Sequence, residues 1–401
     1  MIRPGGAASV AITFVTLGLV YGVWYSYSVF LVALLREFGW SRTLLAGAFS
    51  TFTLVHGLLS LPLGWLGDRI GPRRLVLAGG ALLAAGLFLD ARIGAPWHLY
   101  VTFGVLTAIG VASAGWLPAV MLVQGWYERR VGTMIGVTSA GIGAGIFVVV
   151  PACQWLIEHA GWRGAYRTLA IVVAVWIVPA TLLLVRDPPR RAGAAQIGGA
   201  NAVPGDDITV RRAVRAPLFW LIVVAQMGGA FASQMLLVHQ VAYLVDHGIA
   251  SITAAAVVGV VGIASIVGKG VGGWFSDTFG RELTYTLGMA CLAASVGALA
   301  VIALAPRPPW AYAYGLLVSI GYSVAAPLMP ALINDRYRGR HFGAIFGMLY
   351  LCNSVGGSLG PWVAGRVFDT AGTYAPAFAA AVVSGAIGSA ALWAARGRPT
   401  M

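Results

Sequence analysis

One charged side chain in this sequence sits where hydrocarbon would surround it. Lys269 is the only lysine among 401 residues, and it lies in the apolar, glycine-rich run from Ala254 to Gly273. An ammonium inside a bilayer costs at least about 2.5–3.5 kcal/mol, so it needs a partner or a route to water. The acidic residues (Glu37, Asp68, Asp90, Glu128, Glu158, Asp187, Asp206, Asp207, Asp246, Asp277, Glu282, Asp335 and Asp369) all fall in loops or at the ends of apolar runs. None is placed to meet Lys269 at the same depth. Two readings are open. The counter-ion is a mobile anion that comes and goes, or the long stem snorkels toward the interface, two turns before Asp277. The small neighbours Gly262, Ser265, Gly268, Gly270, Gly272 and Gly273 leave room for a ligand or for a close helix.

Other polar groups in apolar runs could serve an anion at Lys269. Tyr21, Tyr25 and Ser28 share one helical face, and Trp116, Tyr322, Tyr350 and Asn353 add donors suited to a carboxylate or hydroxyl. Each taken alone suits packing or interhelical hydrogen bonding equally well. His56 and His239 titrate near neutrality as free side chains, which makes them proton-coupling candidates beside Lys269 itself. Their bland alternative is a neutral ring bonded to a neighbouring helix. No nucleophile–base pair, metal-ligand cluster or phosphate-binding glycine loop is discernible, so neither an enzyme nor a bound cofactor or metal is expected.

The elements that must hold these residues are membrane helices. The chain is 59% hydrophobic and only 10% charged, against about 25% charged in soluble domains. Apolar runs near 8–34, 43–66, 75–94, 98–123, 131–156, 164–185, 216–244, 252–275, 283–305, 310–333, 342–367 and 375–395 predict twelve spans, the first retained rather than cleaved. In a soluble protein the net charge of +13 would suggest nucleic acid. Here the arginines gather in alternate loops, eighteen on one side and seven on the other, which predicts cytoplasmic termini, a lipid bilayer as surroundings and no nucleic-acid partner. Cys153, Cys291 and Cys352 lie inside predicted spans, so no disulfide framework is implied.

The longest polar connection, Arg186 to Arg215, predicts a flexible cytoplasmic linker (186–215) between two six-helix halves, 1–185 and 216–401. An internal repeat supports the division. Gly64-Trp65-Leu66-Gly67-Asp68-Arg69-Ile70-Gly71 recurs as Gly273-Trp274-Phe275-Ser276-Asp277-Thr278-Phe279-Gly280, and Arg129–Gly136 recurs as Arg340–Gly347. Parallel repeats of this kind let two halves rock about a shared midplane site.

The Gly-x-x-x-Asp-x-x-Gly loop at 64–71, followed by Arg73 and Arg74 and repeated after the eighth span, resembles the signature loop of the major facilitator superfamily. That resemblance implies an all-α membrane fold of twelve helices in two pseudo-symmetric halves. It also gives Asp68, Arg69, Arg73, Asp277 and Arg281 a gating role at the cytoplasmic side. Tyr21–Phe30, Glu37–Arg42, Gly125–Arg130 and Gly161-Trp162-Arg163 resemble the monocarboxylate transporter branch, with its oxalate:formate antiporter-like members. In that branch a basic residue of span eight receives the substrate carboxylate, and Lys269 matches its position. The branch usually has arginine there, and lysine gives up the bidentate fork. Proton-coupled members often carry an aspartate one turn earlier, where this chain has Ser265. Oxalate-type members carry a second cation in span eleven, where this chain has Tyr350, Leu351, Cys352 and Asn353.

The expectation is a multi-pass protein of a bacterial inner membrane that moves a small monocarboxylate, such as lactate or pyruvate, by alternating access, with a proton or a second anion as its coupling partner. Its rivals are anion exchange of the oxalate/formate kind and efflux of neutral or hydrophobic compounds. A membrane sensor without transport activity is a further alternative from another class.

Overall fold

The computed structural model describes residues 4–127, 131–185, 209–337 and 342–397. Helices α1 (Pro4–Phe38), α2 (Arg42–Ile70) and α3 (Pro72–Asp90) open the chain. A broken run follows: α4 (Pro96–Leu99), a π-helical stretch (Tyr100–Thr107), α5 (Ala108–Ala114) and α6 (Trp116–Trp126). Then come α7 (Val131–Leu183), the short α8 (Val210–Arg215), α9 (Pro217–Asp246), α10 (Ser251–Phe279), α11 (Arg281–Leu304), α12 (Pro308–Arg336), α13 (Phe342–Ala371) and α14 (Ala375–Ala395). Among the described residues, ten helices are long and apolar enough to cross a membrane.

Two departures from the sequence expectation have physical causes. The fourth span, expected as one helix over 98–123, is not continuous. Pro118 lacks an N–H and its ring crowds the carbonyl four residues back, and α5 ends at that residue, Ala114. Upstream, the wider π turn sets Thr102 and Thr107 on one face, both against the fully buried carboxyl of Asp90. Thr107 Oγ1 donates to Asp90 Oδ2 at 2.9 Å. Spans five and six, expected as separate, are two helices that meet within α7. At 53 residues and about 1.5 Å per residue it far exceeds a bilayer core of about 30 Å. The chain turns back at Gly161 (φ 68°, ψ 165°). Of the expected flexible linker, 186–208 lies outside the described residues, and 210–215 is a short helix capped by Thr209, whose side chain accepts from the Arg212 N–H.

The repeated loops are built alike. Gly71 (φ 91°) ends α2 and begins α3, and Gly280 (φ 100°) ends α10 and begins α11. Each N–H bonds back into the helix it terminates, to Gly67 and Ser276 respectively. A positive φ of this size is open to glycine and strained for other residues, so a single residue can join two antiparallel helices in both halves.

Close packing rests on small residues. A Cβ on Gly141 or Gly145 of α7 would overlap the α1 backbone at Phe14 and Gly18, a small-xxx-small contact of the membrane kind. The two halves meet along α2 against α13 and α7 against α10. At mid-depth Gly143 faces Gly262, and Gly57 faces Ser354.

Candidate functional site

Lys269 lies in α10, half-buried, with Nζ 5.9 Å from the centroid of the Tyr322 ring on α12. Among the described residues it forms no ion pair. Several carboxylates are engaged elsewhere: Asp277 and Asp335 with Arg281, Asp246 with Arg42, Glu37 with Arg163. A cation over an aromatic face is stabilised by the ring quadrupole, a weaker partner than a carboxylate and one an incoming anion can supplement.

The Tyr322 hydroxyl accepts a 2.6 Å hydrogen bond from Tyr25 of α1. This bond joins the two halves at the centre of the bundle. Tyr21 and Tyr350 lie close enough to interact electrostatically with that pair, so helices α1, α12 and α13 gather four phenols, of which Tyr322 faces the ammonium. Trp116, the first residue of α6, has its backbone beside the Tyr21 hydroxyl and its side chain 37% exposed. Asn353 is half-buried one turn beyond Tyr350. Ser265 is buried, its Oγ donating to the Gly262 carbonyl at 2.7 Å within α10.

The histidines separate. His56 packs edge-on to Trp24, ring centroids 4.8 Å apart, near the central cluster. His239 lies farther along, fully buried, with Nε2 2.9 Å from the Pro361 carbonyl and Nδ1 2.9 Å from the Tyr374 hydroxyl. A carbonyl can only accept, so Nε2 carries the proton and Nδ1 accepts from Tyr374.

His239 belongs to a network that the sequence did not suggest. It seals the distal face, where α1 ends and α2 begins. Arg42, in the first turn of α2, donates to Asp246 Oδ2 at 2.6 Å and to the Tyr374 hydroxyl at 2.6 Å. Its guanidinium also sits 3.9 Å from the Phe368 ring centroid. Asp369 accepts from the backbone N–H groups of Arg42 and Thr43 at 3.1 and 2.8 Å. It caps the N-terminus of a helix in the other half, where a carboxylate is favoured by the helix dipole. In the sequence, Ser41 and Arg42 belong to a stretch that resembles the monocarboxylate transporter branch, and Arg42 reads as an outer charge, with nothing to name their partners. Their partners are more than 200 residues away, so spacing carried no signal.

At the opposite face, where α1 begins, the expected gating residues hold neighbouring helices together. Arg281 bridges Asp277 (2.5 Å) and Asp335 (3.1 Å), joining α10, α11 and α12. Arg73 donates to the carbonyls of Thr181 and Leu182 at the end of α7. Arg69 stacks on Trp65 of its own helix. The Asp68 side chain, and the loops at 128–130 and 338–341, lie outside the described residues.

A bundle of apolar helices with matched loops in each half is the architecture of a membrane carrier, and the chain belongs to the Major Facilitator Superfamily, whose family model matches residues 13–361. It is 28% identical over 375 residues to monocarboxylate transporter 13 of Bos taurus, covering 92% of this chain and 83% of that protein. It is 26% identical over 353 residues to monocarboxylate transporter 12 of Homo sapiens, covering 80% and 67%. It is also 23% identical to the uncharacterized MFS-type transporter YcxA of Bacillus subtilis, covering 86% and 84%. In fold it is similar to an inward-facing, occupied bacterial homolog of the human lysosomal transporter Spinster, with TM-score 0.76, 16% identity, and 98% and 97% of the two chains covered.

Proposed function

We propose that this protein is a secondary transporter of small organic anions, monocarboxylates of the lactate and pyruvate kind, working by alternating access. Lys269 is the residue that receives the carboxylate. The observation that carries the reading is an ammonium within the bundle that forms no ion pair among the described residues and lies over the ring of Tyr322, whose hydroxyl bonds Tyr25 of the other half. The similarity to monocarboxylate transporters 12 and 13 supports the substrate class. A bound carboxylate lowers the cost of burying Lys269, so loaded and empty carriers differ in how readily they occlude. A ligand drives a conformational change only through such a difference.

The same proposal takes the chain through a bacterial inner membrane in twelve spans, both termini cytoplasmic, with halves 1–185 and 216–401. The distal face is then external, and the arrangement described here is closed outside. Tyr25, Trp116, Tyr322, Tyr350 and Asn353 line the site. Asp68, Arg69, Arg73, Asp277 and Arg281 act at the cytoplasmic gate, and the coupling ion is a proton or a second anion.

Uptake of labelled lactate and pyruvate into proteoliposomes, with and without a pH gradient, tests this. Wild type should show saturable uptake, and Lys269→Gln should lower it at least about 100-fold while remaining folded. A buried charge pair broken on one side costs roughly 3–5 kcal/mol, which makes that fold-change the expected scale. Equal uptake by the variant would instead favour a carrier of neutral compounds in which Lys269 is structural. Stimulation by the gradient identifies proton symport, and stimulation by internal anion identifies exchange.

A further inference from the structure

The seal on the distal face contains a chain of hydrogen bonds whose proton positions follow from the chemistry of the groups. Arg42 can only donate, so the Tyr374 oxygen, 2.6 Å from its Nη1, accepts. The single hydroxyl hydrogen of Tyr374 is then left for His239 Nδ1 at 2.9 Å. The Pro361 carbonyl can only accept, so Nε2 donates to it at 2.9 Å. The order Arg42, Tyr374, His239, Pro361 runs from donor to acceptor without a break, and it requires a neutral imidazole. His239 is completely buried. Arg42 stands at the start of α2, while His239 is on α9, Pro361 on α13 and Tyr374 just before α14. The first bond of the chain is therefore also a bond between halves.

A proton arriving at Nδ1 turns the last free acceptor into a donor. The Tyr374 hydroxyl then stands between two donors, Arg42 and the imidazolium, with its own hydrogen unplaced, and a buried donor without an acceptor is unfavourable. A second cation also comes to lie two hydrogen bonds from the Arg42 guanidinium, with little water to screen the pair. The carboxylates that could offset it are engaged elsewhere. Asp246 accepts from Arg42 Nη2, and Asp369 accepts from the Arg42 and Thr43 N–H groups. The other titratable groups on the surrounding elements have their own partners. Tyr243 of α9 donates to the Leu299 carbonyl and Tyr314 of α12 to the Leu236 carbonyl. His247 packs on the Tyr243 ring, with Nδ1 2.8 Å from the Tyr243 carbonyl.

We propose that His239 is a proton-binding site that controls the distal gate: empty, it lets Arg42 close the gate, and occupied, it breaks the Arg42–Tyr374 bond and opens it. The inference rests on the alternating-access reading and is independent of which substrate is carried. Once Arg42 has swung away, water reaches the ring, which then titrates as a free histidine near about pH 6.5. Closed molecules therefore carry fewer protons than open ones. By linkage the closed state is fully favoured above that pH and progressively lost below it. With the distal face external, acid outside holds the carrier open to that side. The proton leaves by the same side when the gate shuts, so His239 regulates the cycle and does not carry the coupling ion across.

Spin labels on the distal face, at Arg92→Cys and Arg307→Cys with the three native cysteines replaced, report the ratio of open to closed molecules in lipid nanodiscs without substrate. Between about pH 8 and about pH 5.5 that ratio should rise at least about tenfold, the effect of one unit of difference in proton affinity between the states. The range stays above the ordinary aspartate value of about 3.9, so Asp246 and Asp369 keep their charges. His239→Gln should hold the ratio within about twofold, since its amide can donate to Pro361 and accept from Tyr374 but takes up no proton. Tyr374→Phe keeps the ring and removes the relay hydroxyl. It should cut the response to about threefold or less, because only charge repulsion remains. His247→Gln should leave the response intact. A ratio insensitive to pH overturns the inference, as does a response that survives undiminished in His239→Gln or Tyr374→Phe, or one lost in His247→Gln. If acid leaves the labels unmoved while Arg42→Ala separates them, the histidine site alone falls. If neither moves them, the alternating-access reading falls with it.

Discussion

The two faces of the bundle use their charges differently. At the distal face, Arg42 and Asp369 tie α2 of one half to α9, α13 and the Tyr374 turn of the other. At the terminal face, Arg281 with Asp277 and Asp335, and Arg73 with the α7 carbonyls, tie helices within the same half. Every bond between halves named above lies between the middle of the bundle and the distal face. Charges across a moving joint decide which state is populated. In the proposed alternating-access cycle, charges within one half would keep that half rigid while it moves. A repeated loop of the kind at 64–71 and 273–280 therefore does not by itself report which face is shut.

Breaking the distal network should have the largest effect. Arg42→Ala removes a guanidinium with 12% side-chain exposure and leaves the partly covered Asp246 and Tyr374 without their donor. Roughly 2–4 kcal/mol of bias toward the distally closed state should be lost, on the scale of a largely desolvated charge pair. With spin labels at Arg92→Cys and Arg307→Cys in a background free of Cys153, Cys291 and Cys352, the distance distribution should shift toward a longer, distally open population. An unchanged distribution would remove the network from the gating account. Asp369→Asn should produce a smaller shift of the same sign, about 1–2 kcal/mol, since the amide can still accept one of the two backbone N–H bonds.

The Tyr25–Tyr322 bond tests the centre. Tyr25→Phe and Tyr322→Phe should each cost about 1 kcal/mol of that bias. A double-mutant cycle should reveal a coupling of about 0.5–1.5 kcal/mol, because either deletion removes the same bond. Full additivity would mean that the two hydroxyls do not depend on each other. The smallest effect belongs to the other face. Arg281→Ala should lower thermal stability by about 1 kcal/mol or less, since Asp277 is 70% exposed and such pairs are weak in water. It should leave the label distances unchanged, and a shift as large as that of Arg42→Ala would erase the contrast between the two faces.

Much of this arrangement is legible in the sequence. Hydropathy alone places the helices, because an unbroken apolar run of about 20 residues suits a membrane crossing and little else. Lys269 stands out by being charged, and Gly71 and Gly280 by recurring in register. Three things are hidden. The break in the fourth span leaves hydropathy untouched, since a π turn and an α turn of the same apolar residues read alike, and only Pro118 hints at it. The distal network draws Arg42, Asp246, Asp369 and Tyr374 from separate segments, and no local pattern links them. Trp24 and Gln234 line one small cavity, and Trp24 Nε1 and Gln234 Oε1 are buried without a hydrogen-bond partner. Such a pair becomes visible only when every neighbour has been placed. Asp90 reads as a helix-end residue, and its position at the end of α3 is as expected, but its complete burial against Thr107 is not.

The solitary lysine has a practical consequence for chemistry done on the protein. With a single ε-amine in 401 residues, an acylating reagent has one side chain to find apart from the chain's own amino terminus. Its rate of reaction measures how open the path to the centre is at that moment. Proteolysis after lysine likewise yields one cut, so the extent of modification can be read as the fraction of molecules left whole. The group that bears the charge is thus also a built-in reporter of access, requiring no engineered label.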